Sequence, residues 1–241
     1  MVMCFASCEK NNGNELSGDD VIIIIFEDAN FLQALLRIQE MRIYDTDGYY
    51  YTYLMDVDRN RDRQISVNEA QNVLGIDVSN VNIFKMPEIK YFTGLINLQC
   101  GDNQLTSLDV SNNTKLTELD CRSNQLTSLD VSNNTELTSL DCGDNQLTSL
   151  DVSNNTELTE LSCRANQLTS LDVSNNTELT ELSCRANQLT SLDVSNNTEL
   201  TCLLCSNNPL TKIILNKNNK LDESSMNSIM EEYGNIIEYV E

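Results

Sequence analysis

The chain has 241 residues, of which 37 are acidic and 15 basic, giving a net charge of −22; it contains no histidine and no tryptophan. That much negative charge makes nucleic acid a poor partner, because phosphate binding needs a cationic face. Without histidine there is no Ser-His or Cys-His nucleophile pair and no imidazole metal site, which excludes most hydrolases.

Residues 1–20 are polar and acidic after the first few positions and read as a flexible linker. Phe5-Ala6-Ser7-Cys8 is similar to the end of a bacterial lipoprotein signal, so Cys8 is the expected lipidation site. The seven residues before it are too few for an apolar signal region and lack a basic start. Cys8 is therefore either the remnant of a longer leader or incidental. "VIIIIF" at 21–26 is far too short to cross a membrane and reads as a buried strand or the start of a helix.

Residues 21–75 are expected to form an N-terminal cap that is mainly helical. "FEDANF" (26–31) opens the first helix, and "RIQEMRIYDTDGYYYTYLM" (37–55) is an extra stretch without an assignment. The acidic loop that follows has the spacing of an EF-hand. Asp58, Asn60, Asp62, Ser66 and Glu69 fall at positions 1, 3, 5, 9 and 12, and Gln64 offers its carbonyl at position 7. Oxygen ligands in that pattern suit Ca2+. Position 6, where the chain must turn sharply, holds Arg63 instead of glycine, at a cost of about 1 kcal/mol for a positive φ. Two readings stay open: a weakened calcium site, or a loop that caps without metal.

Residues 76–221 are organised by a period of 21. Cysteines stand at 100, 121, 142, 163, 184 and 205, and residues 145–165 recur letter for letter at 166–186. A fixed period of 20 to 50 residues signals a stacked repeat. Each unit carries L-x-x-L-x-C-x-x-N-x-L, as in Leu116, Leu119, Cys121, Asn124 and Leu126, and then a second L-x-x-L-x-V segment. Both segments alternate like strands, so each coil is expected to supply one parallel strand to each of two flanks. Stacking puts the thiols in one interior column as small hydrophobes. Disulfides between rungs are disfavoured, because in-register parallel strands point equivalent side chains the same way. The asparagines at 103, 124, 145, 166, 187 and 208 are expected to satisfy the backbone of the turn after the strand.

Residues 222–241 complete the chain. Asp222 is the expected N-cap of a short amphipathic helix with Met226, Ile229, Met230 and Tyr233 on its apolar side; Gly234 stops it, and "NIIEYV" reads as a final strand. An open solenoid end needs such a cap.

The repeat resembles the leucine-rich repeat, with cysteine in the third apolar slot. It is similar to the cysteine-ladder, 21-residue repeats of internalin-like bacterial surface proteins. The nearer likeness is to secreted and lipid-anchored repeat proteins of the Bacteroidetes type, through "FEDANF", "DRNRDRQISVNEA" and "PEIKYFTGLINLQC". The resemblance spans about residues 21–221. It implies an α/β repeat fold, a leucine-rich repeat solenoid of parallel coils between caps. It also implies an extracytoplasmic, surface or secreted location and a non-enzymatic adhesion or binding role toward a protein or host ligand.

Outward positions on the cysteine strand are the candidate binding face: Glu118, Asp120 and Arg122, then Glu160 and Arg164, then Glu181 and Arg185. Read as columns, the glutamates and arginines are expected to neutralise one another. The last coil departs from the pattern with Cys202 and Leu204, either as a binding spot or as the seat of the cap. No aromatic residue lies between Phe92 and Tyr233, so the mid-solenoid lacks the usual interface anchors. Two functions are carried forward: a monomeric surface binding module, and a calcium-stabilised spacer that recognises nothing. Any contact with a membrane is expected only through the lipid anchor.

Overall fold

In a computed structural model of the chain, residues 22–36, 39–44, 50–55 and 57–241 are described. Cys8 and the linker expected over 1–20 lie outside them.

The N-terminal segment is extended and is held to the acidic loop by hydrogen bonds from Ile24 N–H to Ile65 O (2.9 Å) and from Val67 N–H to Ile22 O (2.9 Å). Only part of it is buried. Ile24 faces the core, but Ile22 and Ile25 are 59% and 65% exposed, which corrects the expectation of a wholly buried run. Helix α1 (Ala29–Leu35) follows, with the Asp28 carboxylate accepting from the amides of Asn30 and Phe31 at its N-terminus. Within the stretch without an assignment, β1 (Gln39–Tyr44) pairs antiparallel with β2 (Tyr50–Met55). The cap therefore combines an antiparallel strand pair with its helices. The second helix, α2 (Val67–Ala70), is a single turn fixed by a capping box between Ser66 and Glu69.

The solenoid is a parallel seven-stranded sheet. Its strands are β3 (Gly75–Asp77), β4 (Asn97–Gln99), β5 (Glu118–Asp120), β6 (Ser139–Asp141), β7 (Glu160–Ser162), β8 (Glu181–Ser183) and, at the far edge, β10 (Cys202–Leu204). Leu119 pairs with Leu140, Leu140 with Leu161 and Leu161 with Leu182, so equivalent residues stack rung on rung. At about 4.8 Å per strand the six steps span roughly 29 Å. The first rung begins at residue 75, and there the thiol slot is filled by Val78, whose amide reaches Gln99 O as the amide of Cys100 reaches Asp120 O. A valine standing in for cysteine fits the reading of the column as small hydrophobes. All six ladder thiols are buried and free.

Two asparagine ladders hold the turns. Asn145 Nδ2 donates to the carbonyls of Cys121, Cys142 and Gly143 (each 3.1 Å), and its Oδ1 accepts from Leu126 N–H (3.0 Å), tying three segments of two coils together. The second ladder, Asn113, Asn134, Asn155, Asn176 and Asn197, went unread in the sequence although the "NNT" of every coil contains it. Asn134 Nδ2 donates to Val110 O (3.0 Å) and Asn113 O (2.9 Å), while the buried Oδ1 atoms of this column have no hydrogen-bond partner.

The opposite flank differs from the expectation of a strand in every coil. Among the described residues, paired strands occur there only at the C-terminal end: β9 (Ser191–Asp193), β11 (Lys212–Asn216) and β12 (Ile237–Val240). The upstream "LTSLDV" segments form no strand ladder and are tied to the next coil at their first residue, as where Leu126 O accepts from Gln146 N–H (2.9 Å). Pairing starts where the coil sequence changes to Lys212-Ile213-Ile214-Leu215, whose β-branched residues favour a pleated strand.

Helix α3 (Glu223–Tyr233), N-capped by Asp222, closes the exposed edge of β10. Its side chains replace the carbonyls that another coil would supply. Ser225 Oγ accepts from Leu203 N–H (3.2 Å), Glu232 Oε1 from Asn207 N–H (3.0 Å) and the Tyr233 hydroxyl from Asn208 N–H (3.2 Å).

Candidate functional site

The cysteine-strand sheet turns its outward side chains to one face, because successive residues of a strand alternate between faces. A shallow groove of about 290 Å³ runs along it, lined by Glu118, Asp120, Asp141, Glu160 and Glu181, with Arg122 as the single base and Cys202 and Leu204 at one end. Most of the expected face residues therefore do converge. Arg164 and Arg185 are not in the lining.

None of these arginines pairs with a glutamate, which corrects the expectation of mutual neutralisation; Arg122 and Arg164 pair with aspartates instead. Arg122 Nη1 lies 3.0 Å from Asp120 and 3.9 Å from Asp141. Arg164 Nη2 lies 2.6 Å from Asp144 of the preceding coil. Its stem crosses Gly143, where a Cβ would come within 2.9 Å of Arg164 Cγ, so glycine there makes room for that course. Arg185 belongs to the verbatim copy, yet its surroundings differ. The residue equivalent to Asp144 is now Ala165, and among the described residues Arg185 has no ion pair and is exposed. The signal for this was in the sequence, at the position two after each cysteine, which reads Asp102, Ser123, Asp144, Ala165, Ala186 and Asn207. All six adopt a left-handed backbone, φ 51–59°.

The electrostatics follow burial. Burial raises the pKa of Glu118, with the charge of Glu160 adding to it, and Asn97 Nδ2 donates to the Glu118 carboxylate. Burial also raises that of Asp120, opposed by the Arg122 amide and guanidinium. The ladder thiols are held protonated: burial pushes Cys142 and Cys205 up to about 12, and Cys121 and Cys163 well above the ordinary thiol value. Thiols in that state are poor nucleophiles and poor metal ligands. On the opposite flank, Asp109, Asp130, Asp151 and Asp172 are pushed below the usual range by hydrogen bonds from the serine two residues on, so that column is fully ionised.

The acidic loop closes on its own amides. Asp58 Oδ1 and Oδ2 accept from Asp62 N–H (3.1 Å) and Arg63 N–H (2.8 Å), and Asp62 Oδ1 accepts from Gln64 N–H (2.8 Å). Asn60 Oδ1 accepts from Asp62 N–H (2.9 Å), and its Nδ2 donates to Asp62 Oδ2 (3.0 Å). Arg63 has φ 65°, the left-handed turn that the sequence placed at position 6. Glu69 Oε2 is taken by the amide and hydroxyl of Ser66 (2.9 and 2.8 Å), while Oε1 reaches toward Asn60 N–H (3.4 Å). The donors are all oxygen and the loop turns as an EF-hand would. Among the described residues, however, no three carboxylates or thiols converge on one cation-sized point.

The comparisons place this geometry. Internalin C2 from Listeria monocytogenes is 21% identical, with a TM-score of 0.61 over 90% of this chain and 95% of that one. The fold is the leucine-rich repeat solenoid. A leucine-rich repeat protein of Leptospira interrogans matches at 22% identity and a TM-score of 0.52, over 73% of this chain and 56% of that one. The functional domain of InlJ from Listeria monocytogenes, which includes a cysteine ladder, is 34% identical over 70% of this chain, with a TM-score of 0.44. The chain spans 49% of that structure's length, about half. The solved neighbours thus include internalin-like leucine-rich repeat proteins. No family model matches the chain, and no curated protein does. Among the described residues no helix is long and apolar enough to cross a membrane.

Proposed function

We propose that this leucine-rich repeat chain is a non-enzymatic, extracytoplasmic binding module that recognises a protein through its cysteine-strand face. The observation carrying the reading is the groove on that face: a rigid, in-register sheet ending in the 39% exposed Leu204. Rigid strands hold contact groups without an ordering cost, and an exposed apolar group beside them supplies the desolvation an interface needs. A plant receptor-kinase leucine-rich repeat ectodomain, 21% identical, has been solved in complex with CASPARIAN STRIP INTEGRITY FACTOR 2. This supports interaction as a use of the fold. Lipid anchoring at Cys8 and calcium in the acidic loop belong to the same proposal, the loop bracing the cap.

The test is an array of extracellular proteins probed with the full chain. Two variants accompany it: Glu181→Lys with Leu204→Arg on the face, and Asp151→Lys with Asp172→Lys on the opposite flank. The expected result is a partner lost in the first and kept in the second. A partner lost equally in both, or retained in neither the wild type nor the variants, returns the chain to the spacer reading.

A further inference from the structure

The groove is acidic, with five carboxylates in its lining against one guanidinium. Arg122 and Arg164 are spent on Asp120 and Asp144, at 3.0 and 2.6 Å. Glu160 and Glu181 are exposed, sit side by side in register and, among the described residues, have no cation within ion-pair distance. Adjacent rungs put their backbones about 4.8 Å apart, so two like charges share one small patch. A cation arriving over them gains attraction from both carboxylates without displacing an existing ion pair. Ser183, in register with Leu204 on the neighbouring strand, also lines the groove. Next along the groove comes the exposed Leu204, an apolar contact that the repeating coils do not offer.

Resting on the reading of this face as the binding face, we infer that its partner is a cationic protein segment. Its basic side chains lie over Glu160 and Glu181, and an apolar side chain covers Leu204. Charge complementarity selects the cation over the anion. The groove lining has five carboxylates and one guanidinium, and that guanidinium is already paired. Electrostatic matching of this kind steers encounter and sets orientation, and the apolar end fixes register along the solenoid.

The probe is a capped synthetic peptide with three lysines and a leucine at one end, beside a leucine-to-serine version and a glutamate-for-lysine version. All are titrated against the full chain by fluorescence anisotropy at physiological salt, where distant surface charges are screened. The lysine–leucine peptide is expected to saturate. Glu160→Gln with Glu181→Gln should weaken it by about tenfold or more, and Leu204→Ser by about fivefold, in line with the loss of one or two interface contacts. Asp151→Asn with Asp172→Asn, on the ionised opposite flank, should leave it within about twofold. Equal loss from both carboxylate pairs overturns the proposal, since binding would then follow net charge alone. If instead the glutamate peptide saturates and protects the amides of β5 to β10 from hydrogen exchange in an Arg185-dependent way, the cationic partner is wrong and the binding face stands. If neither peptide perturbs those amides, both readings fall.

Discussion

Replacing Asn145 by alanine tests how much of the solenoid rests on its asparagine ladder. The side chain is 9% exposed and makes four hydrogen bonds, three donated to the carbonyls of Cys121, Cys142 and Gly143 and one accepted from Leu126 N–H. The substitution leaves a buried donor at Leu126 and weakens three carbonyls, each of which keeps a second partner in Asn124, Asn166 or the Ser123 amide. An orphaned buried group costs about 1–3 kcal/mol. With the shared carbonyls partly compensated, the sum is about 3 kcal/mol. For a chain of this size that lowers Tm by about 6–12 °C. Differential scanning calorimetry reads the shift, and hydrogen exchange at the Leu126 amide reads its origin. Asn154→Ala is the control, because that exposed side chain makes one long bond, 3.3 Å to Ser132 O, and should change stability by no more than about 0.5 kcal/mol. A shift below about 2 °C for Asn145→Ala, or equal shifts for the two variants, would refute the assignment of the ladder as the brace between coils.

Four further outcomes are expected. Cys121, Cys142, Cys163 and Cys184, buried and held protonated, should resist alkylation until the chain unfolds; rapid labelling of the native protein contradicts the interior column. Ala165→Asp should reproduce on Arg185 the pair that Asp144 makes with Arg164, at a backbone position that aspartate tolerates better than alanine, and raise stability by about 0.5–1 kcal/mol in urea titration. Glu88 is a buried carboxyl that accepts from Glu27 N–H and has its other oxygen unpartnered, and burial raises its pKa. The folded chain therefore holds that proton more tightly than the unfolded one, and stability should rise as pH falls from neutral through the raised pKa. Glu88→Gln should be the more stable form at pH 7, with the advantage shrinking toward pH 4; a constant difference across that range contradicts the reasoning. Calcium at millimolar level should raise Tm by mass action on the folded loop, and Glu69→Gln, which keeps the capping box but not the charge, should abolish the rise. A melting curve indifferent to calcium and chelator leaves the loop as a cap alone.

The coils, the thiol column and the C-terminal helix were legible because each side chain there answers to a period. Leu119, Cys121 and Asn124 recur at 21, and identical spacing forces identical depth. Cys202 and Leu204 stood out as breaks in that period. The free charge of Arg185 was not legible within its own coil, whose letters match those around Arg164; it depends on Ala165 across the stack. The strands missing from the second flank escaped notice for a related reason. Alternation in "LTSLDV" reports which side chains are buried and says nothing of whether neighbouring backbones pair, as they do only from the isoleucines of β11 onward. The antiparallel pair of β1 and β2 had no period to read at all.

The verbatim coil at 145–165 and 166–186 leaves the folding chain with a near-degenerate choice. If the second copy docks directly on the coil before the first, every leucine, cysteine and asparagine finds an equivalent neighbour, and Arg185 meets Asp144. The skipped coil is extruded as a loop whose closure entropy grows only slowly with length. Local mismatch does not reject this slipped register. What rejects it is the loss of one whole rung, whose leucines return to water and whose asparagine and strand bonds to its neighbours go unmade. The count of turns is thus chosen by the total buried and bonded, not by local fit.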